Sequence, residues 1–88
     1  MNNLLTIIIV SFNSEDFIER CVSSVLKFLP KNCDVIVLDN GSTDKTVEKL
    51  NKFLPRIDLI KSEENLGFAR GNNMAIKSSN SEFLFFLN

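Results

Sequence analysis

Apolar residues along this chain recur with two different periods. Residues 4–10 form an unbroken, largely β-branched run, which predicts a strand covered on both faces. Asn13 or Ser14 is placed to cap a helix, with Glu15 and Asp16 in its positive first turn. Phe17, Ile18, Cys21, Val22, Val25, Leu26 and Leu29 then repeat at helical spacing until Pro30 stops them. Residues 34–38 predict a second buried strand. Residues 43–53 predict a second helix, with Val47, Leu50 and Leu54 on one face and Pro55 beyond it. A short third strand over 57–60, a third helix over 68–77 and a fourth strand over 82–87 ("EFLFFL") complete the pattern.

The order β-α-β-α-β-α-β makes the strands parallel, because each helical crossover returns the chain to the same end of the sheet. The expected fold class is therefore α/β: a parallel sheet of about four strands with three helices on its faces. Such sheets place ligands outside the carboxyl ends of their strands. Here those ends read "VSFNS", "LDNGSTD", "KSEENLGFARGNN" and, last, Asn88. Ser11, Asn13, Asp39, Asn40, Ser42, Asn65 and Arg70 are thereby expected on one rim, with Phe12, Asn40 and Arg70 around one hollow.

Composition narrows the chemistry. A chain of 88 residues, 44% hydrophobic, has material for one core and one domain. Ten basic and eleven acidic residues are interspersed, so no basic stripe marks a nucleic-acid partner. Histidine is absent, which removes the commonest general base and zinc ligand. Cys21 and Cys33, without CxxC spacing, read as reduced thiols. The first ten residues lack a basic leader region and are too short an apolar run to span a bilayer, so a cytoplasmic location is expected.

Each polar stretch carries two readings. In Asp39-Asn40-Gly41-Ser42, Asn-Gly suits a tight turn and Ser42 or Thr43 suits a helix cap. Asp39 serves neither, and an acidic side chain there can accept hydrogen bonds from a nucleobase imide or a ribose hydroxyl. Phe12 is either an edge of the core or an aromatic wall for a flat base, with Ser11 meeting the base's edge. Gly67 and Gly71 either let a helix pack closely on the sheet or shape a loop in which Arg70 faces a diphosphate, aided by Asn72 or Asn73. No G-x-G-x-x-G and no G-x-x-x-x-G-K-[ST] is present, which counts against dinucleotide and P-loop sites. Phe83, Phe85 and Phe86 read as core, and the runs "KTVEKLNK" and "KSEEN" as solvated faces.

Three segments in order, "TIIIVSFNSEDFIERCVSSVL", "DVIVLDNGSTDKTVEKL" and "ENLGFARGNNMAI", resemble the start of a family 2 glycosyltransferase with the GT-A fold. "DNGS" and "NLGFA-x-GNN" are most similar to its rhamnosyltransferase-type branch. The resemblance implies a Rossmann-like half-domain with strand order 3-2-1-4 that binds a nucleoside-diphosphate sugar, with a UDP- or dTDP-sugar as donor. It implies that Val10, Ser11, Phe12 and Asn13 line the base, that Asp39, Asn40, Gly41 and Ser42 contact base and ribose, and that Gly67, Arg70 and Asn72 lie near the diphosphate. Phe12 stands where many relatives have tyrosine, Asn40 where many have a second aspartate, and Asn72 where many have arginine.

In relatives, a segment like "FLFFLN" runs into a DxD-like motif for a Mg or Mn ion, and a later acidic residue is the general base. Neither occurs within these 88 residues. The resemblance therefore implies a sugar transfer, possible only in a longer parent, onto a saccharide or lipid-linked acceptor at the inner face of the membrane during surface polysaccharide synthesis. The chain alone is expected to be inactive and to form homo-oligomers through its last strand. A non-catalytic nucleotide-binding or assembly module of the same fold is the alternative reading.

Overall fold

A computed structural model describes residues 3–87, so Asn88, expected at the rim, lies outside the described residues. Seven elements follow one another: β1 (Leu5–Ser11), α1 (Ile18–Phe28), β2 (Cys33–Asn40), α2 (Thr46–Asn51), β3 (Asp58–Ser62), α3 (Phe68–Ser78) and β4 (Phe83–Leu87). The four strands form one parallel sheet in the order β3-β2-β1-β4. The expected class and strand order both hold.

The two central strands, β1 and β2, are buried from both sides, as their continuous apolar runs require. On one face Ile9, Val35 and Val37 pack with Ile18 and Val22 of α1 and Leu50 of α2. On the other, Ile8 and Ile36 pack against Ala75 of α3. Each fully buried Ile, Leu or Val contributes roughly 1.5–3 kcal/mol. The amino edge of the sheet is tied by Thr6, which is 0% exposed. Its hydroxyl donates to Asp34 Oδ1 at 2.6 Å and shares further hydrogen bonds with Ser79 and Ser81.

Several elements start or stop away from their expected bounds. Neither Asn13 nor Ser14 caps α1, which begins only at Ile18 without a side-chain cap. Phe17, placed on the helix stripe by its spacing, is accordingly 71% exposed. No Ser42 or Thr43 cap opens α2; it has six residues, and Leu54 falls beyond its end and is exposed. β2 runs two residues further than its apolar run, so Asp39 and Asn40 belong to the strand.

Phe83, Phe85 and Phe86 correct a further expectation: they are exposed, not core. β4 is an edge strand with β1 on one side, and the helices lie over the centre of the sheet. Only Leu84 and Leu87 of β4 reach the buried clusters.

Candidate functional site

The candidate site is the carboxyl edge of β1 and β2, with the loop that leads into α3. Ser11 and Asp39 are register partners on neighbouring strands, so their side chains emerge on the same face. The Ser11 hydroxyl donates to Asp39 Oδ1 at 2.8 Å. The Ser42 hydroxyl donates to the same oxygen at 2.6 Å, and the Ser42 backbone N–H donates to Oδ2 at 2.9 Å. Asp39 is 1% exposed. Its carboxylate is therefore balanced by three internal donors, which is how a buried charge is tolerated.

The seam continues outward through the capping-type residues. Asn13 adopts φ 47°, its N–H donates to Ser42 Oγ at 2.8 Å, and its Oδ1 accepts from the Thr43 N–H at 2.8 Å. Short polar side chains tolerate that left-handed backbone best. Ser14 N–H donates to Thr46 Oγ1, Glu15 N–H to Asp44 Oδ2, and Lys49 Nζ to the Glu15 carbonyl. These side chains bind one loop to the next, which is why no helix is capped in the expected way.

Burial pushes the Asp44 carboxyl up, but hydrogen bonds from the Thr46 hydroxyl and from backbone N–H groups outweigh it and hold it below the ordinary carboxylate range. The Asp44-x-Thr46 pair and Lys49 are rim residues that a reading of charged runs as solvated faces misses. The spacing of an Asx or ST turn at Asp44 was the available signal.

Asn40 follows Asp39 on the strand, so it points to the opposite face, toward α3. It is 2% exposed, accepts from the Leu66 N–H at 2.7 Å and donates to the Gly67 carbonyl at 3.1 Å. The adjacent pair thus ties one loop on each face of the sheet. Gly41 makes the turn possible at φ +83°, where an added Cβ would lie 2.7 Å from the Glu64 backbone carbon. Gly71 serves close packing, because a Cβ there would lie 3.1 Å from Leu38 Cδ2 and 3.4 Å from Val10 Cγ1. At Gly67, by contrast, an added Cβ would meet nothing within 4 Å, and the residue is fixed by its φ of +82°.

The expected residues are only partly gathered. Ser11, Asn13, Asp39, Asn40, Gly41, Ser42 and Gly67 join along the rim, with Phe12 beside them and 45% exposed. Val10 is half-buried against α3. Arg70 and Asn72 separate: Arg70 lines a 350 Å³ hollow with Asn73, Met74 and Lys77, whereas Asn72 lines another with Phe68, Ile76 and Phe86. Gly71 and Ala75 face the sheet, so the helix turns these two side chains to opposite flanks. Ser11 and Val10 line a further hollow with Phe17 and Ile18, apart from the two beside α3.

Among the described residues, no three Asp, Glu, His or Cys side chains stand together as a metal cage. No described helix is long and apolar enough to cross a membrane. What the rim offers chemically is an aromatic face, hydroxyls and backbone groups held in fixed relation.

Comparison with known proteins places this arrangement. The model of the family described as "Glycosyl transferase family 2" matches residues 6–88. The chain is 38% identical over 85 residues to UDP-Glc:alpha-D-GlcNAc-diphosphoundecaprenol beta-1,3-glucosyltransferase WfgD of Escherichia coli, covering 96% of this chain and 34% of that protein. It is 33% identical over 76 residues to an uncharacterized glycosyltransferase of Haemophilus influenzae, covering 83% and 24% respectively. The solved structure of S. aureus TarS 1-349 in complex with UDP superposes with TM-score 0.85 and 29% identity, over 96% of this chain and 26% of that one. The chain thus spans between about a quarter and a third of the length of these relatives. With the parallel sheet in the order 3-2-1-4 and the family match over nearly all its length, this chain belongs to glycosyl transferase family 2 and has the GT-A fold.

Proposed function

We propose that this chain is the nucleotide-sugar-binding part of an inverting glycosyltransferase that moves a sugar from a nucleoside diphosphate to an acceptor hydroxyl in surface polysaccharide synthesis. The observation that carries this reading is the seam itself. Asp39 and Asn40 fasten loops from three separate βα connections to one carboxyl edge, where α/β sheets bind nucleotides.

In this reading Phe12 supplies a flat face for the base and Asn13 meets its edge or the ribose. Val10, Ser11, Gly41, Ser42 and Gly67 shape the floor, and one flank of α3, carrying either Arg70 or Asn72, faces the diphosphate. Uridine is favoured over thymidine as the base, since the name of WfgD specifies UDP-Glc and TarS is solved with UDP; rhamnose is not the sugar of either name. A lipid-linked acceptor is read from the same relative's name, and a Mg or Mn ion, which the family resemblance implies, would neutralise the charge of the leaving diphosphate.

Titration of the chain with UDP, dTDP and GDP by calorimetry tests the reading. UDP is expected to bind with a dissociation constant of about 1 mM or tighter, the others more weakly. Absence of heat at millimolar UDP contradicts it.

A further inference from the structure

The two most exposed large apolar side chains described, Phe17 at 71% and Phe28 at 76%, belong to one helix. Phe17 directly precedes α1, and its carbonyl already accepts the Cys21 N–H, so it follows the helical register. Phe28 is the last residue of α1. The step from 17 to 28 is about three turns, so both rings emerge on the same side, roughly 16 Å apart along the axis. That side faces away from the sheet, because Ile18, Val22, Val25 and Leu26 occupy the other. Arg20, Ser24 and Lys27, all exposed, lie on it between the rings, and Lys31 is exposed in the turn beyond.

The charge on this stripe is one-sided. Lys27 Nζ lies 5.4 Å from the centroid of the Phe28 ring. Among the described residues, Arg20, Lys27 and Lys31 form no ion pair. Glu19 is turned toward α2, where Lys52 holds it at 2.8 Å, and Asp16 borders the stripe at its rim end. Aromatic rings set among unpaired cations suit a flat surface that is apolar beneath and anionic on top. β4 also exposes phenylalanines, but the one charge in its segment is Glu82. Its free edge carries unpaired backbone groups, which hydrocarbon rejects.

We propose that this face of α1 docks on the anionic surface of a phospholipid bilayer, with Phe17 and Phe28 seated at headgroup level and Arg20, Lys27 and Lys31 against lipid phosphates. Phe17 follows closely on Asn13 at the rim, so docking holds the carboxyl edge of the sheet beside the bilayer. Docking stands on the stripe alone; its use, presenting the rim to a lipid-linked acceptor, rests on the reading above. The chain carries a net charge of -1, so attraction of the whole molecule to an anionic surface cannot replace this local contact.

Co-sedimentation of the chain with vesicles tests this, comparing pure phosphatidylcholine with phosphatidylcholine that carries about one third phosphatidylglycerol. Binding to the anionic vesicles is expected to be at least about tenfold tighter than to the neutral ones. Phe28→Ser, and separately Lys27→Glu combined with Lys31→Glu, are each expected to weaken it about tenfold. Lys77→Glu, on α3 across the sheet, reverses a charge of the same sign and is expected to weaken it by less than about threefold. All four side chains are exposed and outside the buried clusters, and a thermal melt checks that each variant is folded. Equal binding to the two kinds of vesicle, absence of binding, or binding that survives either set of α1 changes overturns the proposal. A loss at Lys77→Glu as large as at the lysine pair overturns it too. A chain that binds anionic vesicles through these residues but takes up no UDP upholds the docking and removes only the nucleotide reading.

Discussion

Gly41→Ala is expected to lower the stability of the chain by roughly 3–5 kcal/mol, the sum of a strained left-handed alanine and a steric collision. The collision dominates. An ideal Cβ on residue 41 would sit 2.7 Å from Glu64 C, 2.9 Å from Glu64 Cα and 3.0 Å from Asn65 N. All three are backbone atoms, so no rotamer change relieves them. The loop before α3 must move, and Asn40 is fastened to that loop through Leu66 and Gly67. A domain of this size has about 4–13 kcal/mol of total stability, so the loss is expected to take a large share of it. Urea denaturation measures the effect. Gly67→Ala is the matched control: it shares the positive φ, but its Cβ would meet nothing within 4 Å, and about 1–2 kcal/mol is expected. Equal losses at the two glycines would show that the contact with Glu64 contributes nothing.

The second large effect is expected at Asp39. Asp39→Ala strips the acceptors from two serine hydroxyls and one backbone N–H, in a place with 1% exposure. Buried donors left without partners cost about 1–3 kcal/mol each, and partial relaxation brings the expected total to roughly 3–5 kcal/mol. Asp39→Asn is expected to cost less, about 1–2 kcal/mol, because the amide oxygen can still accept the Ser42 N–H while its NH2 faces two hydroxyls that rotate to accept. Denaturation midpoints for the pair check this ordering. Amide exchange at Ser42 and Thr43 should quicken in both variants, since Asn13 and Ser42 transmit the seam to Thr43. A neutral Asp39→Ala would mean that the carboxylate is not holding the two loops.

The fold was legible because it is written in apolar periodicity. The β-branched runs around Ile8 and Ile36, and the stripe from Ile18 to Leu29, are buried or half-buried where their spacing puts them. What the periodicity does not carry is the partner of a polar side chain. Asn13, Ser42 and Thr43 have the chemistry of helix caps, yet they bond across loops that are 29 and 30 residues apart in the chain. That choice depends on the parallel pairing of β1 and β2, which brings the two loop starts together. Asp39 was legible as a residue that neither turn nor cap explains, and it accepts from Ser11 and Ser42.

The final strand shows another limit. An alternating or continuous apolar segment reads the same whether helices cover it or not, so Phe85 looks like core in the sequence and stands 53% exposed on an edge strand. Arg70 and Asn72 illustrate a third. Two residues apart on a helix, they cannot share a face, and once Gly71 is fixed against Leu38 their divergence is settled.

The central claim is that loops distant in the chain meet at one edge to receive a uridine nucleotide. Backbone amide shifts of the isotopically labelled chain, followed by NMR during addition of UDP, test it most directly. The account predicts saturable shifts concentrated at Phe12, Asn13, Gly41 to Thr43, and Leu66 to Gly67, with little change at Thr6, Asp34, Ser79 and Ser81 on the far edge. Shifts confined to the far edge or to the Lys77 flank of α3, or none at millimolar UDP, would contradict it.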